Sequence, residues 1–425
     1  MDVGAAQSPG LDARLGSLCE LVQRQQVRLD VLADEVHSLR ECLQEAGAVT
    51  AQAILARQHR LRFARACLQY PCAWGSCVET VVAMRERVLA LAELLGKRCV
   101  SALAASSRGL SRVVGSMSGE LAATLPPMIY VIGGEDDDGR TLAEVEGLCP
   151  STGVWEPCPP LPTPRKWCAA AGVAGHVYVL GGWGADDDTL DLVSRFNPWL
   201  AAWAEMPAML QRRGAPAAVA TGTQLWAVGG QDGELVHDSA EVLDLSAGMW
   251  ASAPAMQSPR QAAGALQLYG RIYAIGGHGA NREALGQVEC FDLQACAWIE
   301  MPSLRTPRAG LAAAAVGGRA YALGGCDAAG RELCSLERLN PQVGVWEAMP
   351  PMAVPRWGLG AASCGGRLFA LGGTDRMEGS SIGACERFWP ERADSPTVLR
   401  GGAGSWSFIG CLRLPRRLFG AASSR

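Results

Sequence analysis

The 425-residue sequence predicts a mainly β fold, a six-bladed β-propeller preceded by an α-helical, coiled-coil N-terminal region. Three observations carry that expectation. A doubled glycine closes a short apolar run six times at nearly constant spacing, a tryptophan follows at a fixed distance, and an arginine ends each unit.

The glycine pairs come first. "IYVIGG", "VYVLGG", "LWAVGG", "IYAIGG", "AYALGG" and "LFALGG" place the first glycine at Gly133, Gly181, Gly229, Gly276, Gly324 and Gly372, 47 or 48 residues apart. An aromatic residue stands three positions earlier each time: Tyr130, Tyr178, Trp226, Tyr273, Tyr321 and Phe369. Trp155, Trp203, Trp250, Trp298 and Trp346 follow in phase, and Trp406 arrives late. Nine residues before the tryptophan stand Glu146, Glu241, Glu289 and Glu337, with Ser194 in the second unit. The units end at Pro164–Arg165, Arg212–Arg213, Pro259–Arg260, Pro307–Arg308, Pro355–Arg356 and Pro415–Arg416. Within a unit, short apolar runs alternate with Gly and Pro punctuation, which gives four strands per repeat and a radial closure rather than a helical solenoid.

In register and spacing these residues resemble the kelch repeat, over about 300 of the 425 residues. The resemblance implies that the repeated glycines, aromatics and tryptophans are framework, the aromatic side chains filling the gaps between wedge-shaped blades. It also implies recognition of a protein segment through one face. Many kelch proteins carry BTB and BACK domains ahead of the propeller. Nothing in the first 120 residues resembles a BTB domain, and 120 residues cannot hold both, so a substrate receptor of a ubiquitin ligase stands as an alternative. The resemblance also implies an actin-binding or other cytoskeletal role as an alternative, and a propeller enzyme as a remote one.

The unit boundaries give domains at 1–10 (a disordered terminus), 11–46 (coiled coil), 47–103 (a helical segment), 104–124 (linker) and 125–425 (propeller). In the coiled coil, Leu15, Val22, Leu29, Val36 and Leu43 take one seam position. Leu11, Leu18, Gln25, Leu32 and Leu39 take the other, a pattern that favours two strands and a homo-oligomer. The alternative is an amphipathic helix folded back on the following segment. At the other end, "PRRLFGAASSR" has the form of a first strand without a blade after it, and Leu418–Ser423 is expected to complete the first blade.

Composition bounds the function. A net charge of −4 gives no electrostatic case for nucleic acid, and no run approaches the ~20 apolar residues of a membrane span. The start "MDVGAAQSPG" has no signal-peptide form, and the sixteen scattered cysteines read as cytosolic thiols, which places the protein in the cytoplasm. Cys72 and Cys77 lack zinc-finger spacing, and the acidic stretches "EDDDG" and "GADDDT" read as solvated turns rather than calcium sites. No cofactor, metal or catalytic set is assigned, and the five histidines do not form a copper site.

What remains is a binding module. In an antiparallel blade, the link to the next blade and the second-to-third-strand loop share one face. The expected binding residues on it are Arg165, Lys166, Trp167, Arg213, Arg260, Arg308, Arg356, Trp357 and Arg416, with Arg212 and Arg417 beside them. A ring of guanidinium groups with two tryptophans suits an acidic protein segment. The alternative is that the arginines brace the blade turns or pair with acidic loops of the same face.

Overall fold

A computed structural model describes residues 88, 104, 114–117, 120–121, 127–150, 152–340, 343–375, 379–390 and 404–424. The chain divides into two units, Met1–Ser76 and Cys77–Arg425, and all described residues belong to the second. The coiled coil at 11–46 and most of the helical segment at 47–103 lie outside the described residues.

Six four-stranded antiparallel sheets form the ring. Blade 2 is built from Ala169–Val173, His176–Leu180, Val193–Asn197 and Ala202–Met206, counted from the axis outward, and blades 3 to 6 repeat that order. Blade 1 differs in its source. Its three outer strands are Ile129–Ile132, Val145–Cys149 and Val154–Cys158, and its inner strand is Gly420–Ser423, paired from Ile129 with Ser423 to Ile132 with Gly420.

The strand sequences follow from radial position. Inner strands such as Ala312–Val316 crowd around the axis and carry small residues. Second strands are packed on both faces, so they read as continuous apolar runs, as in Arg319–Leu323. Outer strands such as Ala297–Met301 face solvent along much of their length.

The core is divided into layers between neighbouring blades, and each layer receives one tryptophan from an outer strand. Trp203 fills the layer between blades 1 and 2, Trp250 the next, then Trp298, Trp346 and Trp406. Each of these indoles donates to a proline carbonyl of the preceding blade, for example Trp346 Nε1 to Pro302 O at 2.8 Å. At the closing seam Trp155 enters the layer between blades 6 and 1, but its indole N–H meets no acceptor among the described residues. At the position of those prolines blade 6 has Gly410, and its outer strand, Ser405–Cys411, shifts register at a bulge opposite Cys385 and Glu386.

The doubled glycine has a specific cause. Gly229 sits at φ +63°, and a Cβ on it would lie 2.2 Å from the carbonyl oxygen of Arg260. That same carbonyl accepts the N–H of Gly230 at 2.9 Å. The first glycine therefore permits the approach that lets the second tie one blade to the link entering the next.

Ala104, Val114, Met117 and Leu121, assigned above to a linker, are buried together against Trp199 and beside Leu200. Val114, Met117 and Leu121 recur at helical spacing, so their apolar stripe covers the third-to-fourth-strand turn of blade 2.

Candidate functional site

The six link arginines are not on the surface. Arg165, Arg213, Arg260, Arg308, Arg356 and Arg416 are each 0% exposed. Five of them reach inward to a buried glutamate on the third strand of the blade they enter. Arg213 meets Glu241 at 2.8 Å, Arg308 meets Glu337 at 2.5 Å, Arg356 meets Glu386 at 2.8 Å and Arg416 meets Glu146 at 2.5 Å. Arg260 pairs with Glu289 in the same way. Each glutamate also accepts backbone N–H groups from the residues before the arginine, as Glu337 does from Arg305 and Thr306 at 2.8 and 3.1 Å. The guanidinium completes the lock by donating to strand-end carbonyls, in Arg308 to Gly324 O and Ser335 O at 3.1 and 3.2 Å.

This corrects the expected binding set. Arginines with no accessible surface contact no partner, so the guanidinium ring is framework, the bracing alternative named above. Burial lowers the pKa of Arg308 while the Glu337 carboxylate opposes that shift, the signature of a compensated internal ion pair. The loop face therefore lacks the positive ring that an acidic segment would need.

The remaining predicted residues do lie on the loop face. Immediately after each arginine, the chain pairs with the residue that follows the doubled glycine. The pairs include Lys166 with Trp183, Gln261 with His278, Ala309 with Cys326 and Trp357 with Thr374. One residue further on, Trp167, Ala215, Ala262, Gly310, Gly358 and Leu418 close a continuous ring of backbone hydrogen bonds around the axis. Each donates its N–H to the carbonyl of its counterpart in the preceding blade, at 2.5 to 3.1 Å. All six have left-handed backbone, with φ between 47° and 61°. Below the ring, the inner strands enclose a cavity of about 130 Å³ lined chiefly by alanine and glycine.

At the mouth, three tryptophans converge. The Trp167 ring meets Trp357 edge to face at 5.2 Å and Trp183 at 6.1 Å. Trp357 is 8% exposed and packs with Leu418, whereas Trp167 and Trp183 are only partly covered. Trp183 escaped the sequence reading, although its place just after Gly181–Gly182 put it on this face.

Lys166 is not free to bind an anion, since it bridges Glu135 at 2.8 Å and Asp187 at 2.9 Å. Arg417 pairs with the same Glu135 at 2.8 Å. These two cations hold the Glu135 carboxyl below its ordinary range against the opposing effect of burial. Outside this network, Asp137, Asp138, Asp186, Asp188, Asp232 and Glu234 are exposed around blades 1 to 3, against Arg140 and Arg212. The rim is acidic. Among the described residues, no group of three or more His, Cys, Asp or Glu side chains is placed to hold a metal ion.

The opposite face carries a different feature. Arg367 and Arg387 of blade 6 both stack on the Trp389 ring, with guanidinium carbons 3.8 and 5.1 Å from its centroid. Neither has a carboxylate partner among the described residues, and burial followed by repulsion from Arg367 lowers the pKa of Arg387.

The kelch motif matches residues 121–162, 164–210, 212–257, 259–305 and 307–353, together more than half of the chain. No curated protein shows a significant match over this sequence. With its glycine pairs, seam tryptophans and four-stranded blades in one register, the chain belongs to the kelch-repeat family and forms a six-bladed propeller.

Proposed function

We propose that this chain is a non-catalytic protein-interaction scaffold whose loop face receives a partner segment with an aromatic or apolar anchor and a basic flank. The observation that carries this reading is Trp167. Its five counterparts in the hydrogen-bonded ring are Ala215, Ala262, Gly310, Gly358 and Leu418, yet here an indole holds a left-handed backbone at φ 52° and stands partly open at the mouth. A bulky residue in that conformation is an outlier that surrounding structure must hold, and such outliers cluster at binding sites. The surrounding carboxylates favour Lys or Arg beside the anchor.

Screening a peptide library against the propeller tests this. Peptides with an aromatic residue next to Lys or Arg are expected to be enriched. Asp186→Lys with Asp188→Lys should weaken them more than about a hundredfold, since each charge-assisted contact contributes about 1.5–3 kcal/mol. The melting temperature should stay unchanged because both aspartates are exposed. Equal retention by the variant overturns the reading.

A second reading rests on Arg367 and Arg387, whose guanidiniums stack on Trp389 and meet no carboxylate among the described residues, as an acidic segment needs. If it is correct, the same library yields acidic peptides, and Arg367→Glu with Arg387→Glu abolishes their capture.

The scaffold is further proposed to be a cytoplasmic homo-oligomer joined through residues 11–46. Deleting residues 1–46 is expected to convert an oligomer to a monomer in light scattering with the propeller melting transition retained. A monomeric full-length protein at micromolar concentration refutes the assembly.

A further inference from the structure

Five of the six blades neutralise the buried link arginine with a glutamate, and blade 2 does not. Ser194 stands where Glu146, Glu241, Glu289, Glu337 and Glu386 stand in the others. Arg165 is nonetheless as buried as its counterparts, at 0% exposure. Its side chain donates to Leu192 O at 3.1 Å, to the Ser194 hydroxyl at 3.2 Å and to Thr163 O at 3.4 Å, all neutral acceptors that leave part of its donor set unused. Burial lowers its pKa, no carboxylate opposes that shift, and the neighbouring Cys168 thiol is itself pushed up by burial.

The backbone has changed with the side chain. In four other blades the glutamate accepts N–H groups from the residues three and two positions before the arginine, such as Leu210 and Gln211, or Gln257 and Ser258, and Glu386 accepts that of Ala353. In blade 2 those positions are Pro162, which has no N–H, and Thr163, whose N–H meets no protein acceptor among the described residues. The carboxylate is gone, one of its two backbone donors is gone, and the cation and the other donor remain.

We propose that a small monovalent anion of the halide class, chloride in solution, binds there between Arg165, Ser194 and the Thr163 N–H and serves as the counter-ion that a glutamate supplies in the other five blades. The chemistry fits. The donors are one guanidinium, one hydroxyl and one amide, all of which suit a spherical anion, and no carboxylate competes for them. The site lies just beneath the half-exposed Thr163 and exposed Pro162, so the ion enters from solvent.

The test is thermal unfolding of the full chain at constant ionic strength, with sodium chloride replacing sodium gluconate. Chloride and bromide are expected to raise the melting temperature by about 2–4 °C per tenfold increase in concentration above saturation, as a ligand of the folded state does. Ser194→Glu restores the carboxylate and should abolish that dependence, with its melting temperature in gluconate matching or exceeding that of the unsubstituted chain in chloride. No halide-specific rise, or an equal rise in Ser194→Glu, overturns the proposal. If Ser194→Glu does not fold, crystals soaked in bromide decide. An anomalous peak within hydrogen-bonding distance of the Arg165 guanidinium supports the site, and a water molecule or an adventitious ion elsewhere only overturns it.

Discussion

Replacing Arg308 by alanine is expected to cost about 3–5 kcal/mol of stability, because it strands the buried Glu337 carboxylate without its cation. At about 2–4 °C per kcal/mol for a domain of this kind, the melting temperature should fall by roughly 6–20 °C. Two backbone N–H groups still reach Glu337, but they do not neutralise it. Removing both partners together, in Arg308→Met with Glu337→Leu, should recover most of the loss, since no lone charge is then left in the interior. The recovery stays incomplete because Gly324 O and Ser335 O lose their guanidinium donor. Denaturant unfolding of the two single variants and the double variant closes the cycle. A binding role for Arg308 predicts the reverse: unchanged melting and loss of a partner. A change below about 0.5 kcal/mol for Arg308→Ala, the range of ordinary surface substitutions, would contradict the bracing role.

The distinction between brace and binding ring was partly written in the sequence. Arg260, Arg308 and Arg356 recur with the same period as Glu241, Glu289 and Glu337, and two opposite charges repeated in one phase pair with each other before they pair with anything outside. Loop placement located the arginines on the correct edge of the blade, but it carried no information on whether a long side chain turns outward or back beneath the strand ends. Glu386 was harder to find. Trp406, the marker used to count back to the glutamate, is displaced by the longer connection between the third and fourth strands of blade 6. The propeller itself was legible because Gly, Trp and aromatic positions are forced by packing at every seam. The character of the mouth was not, because Trp167, Trp183 and Trp357 occupy positions whose residue type changes from blade to blade, and only closure of the ring brings the three together. The same logic makes Ser194 informative. A single departure from a repeated charge pair marks a place where the chain neutralises its cation in another way.

Removing residues 415–425 is expected to destroy the ring rather than trim its end. Gly420–Ser423 is the inner strand of blade 1, and without it Ile129–Ile132 becomes an unpaired edge beside the axis. Such an edge templates intermolecular pairing. The loss reaches three layers of the structure at once. Leu418 and Phe419, each 6% exposed, leave the mouth and the seam between blades 6 and 1. Arg416 leaves Glu146 buried without its counter-ion. Leu418 also supplies one member of the backbone ring, so Trp167 N–H and Gly358 O both lose their partners. Burial of two large apolar side chains contributes about 1.5–3 kcal/mol each, and an orphaned internal charge costs about 3–5 kcal/mol. Together these losses are comparable with the whole net stability of a typical domain, about 5–15 kcal/mol. The truncated chain is therefore expected to aggregate or to lack a cooperative melting transition in calorimetry. A milder variant isolates the charge. Arg416→Ala keeps the closing strand and should lose only the ion-pair increment, remaining soluble with a lowered melting temperature. Should the 1–414 fragment stay soluble with the melting temperature of the full chain, the closing strand does not hold the ring together, and the seam layers between the other blades suffice.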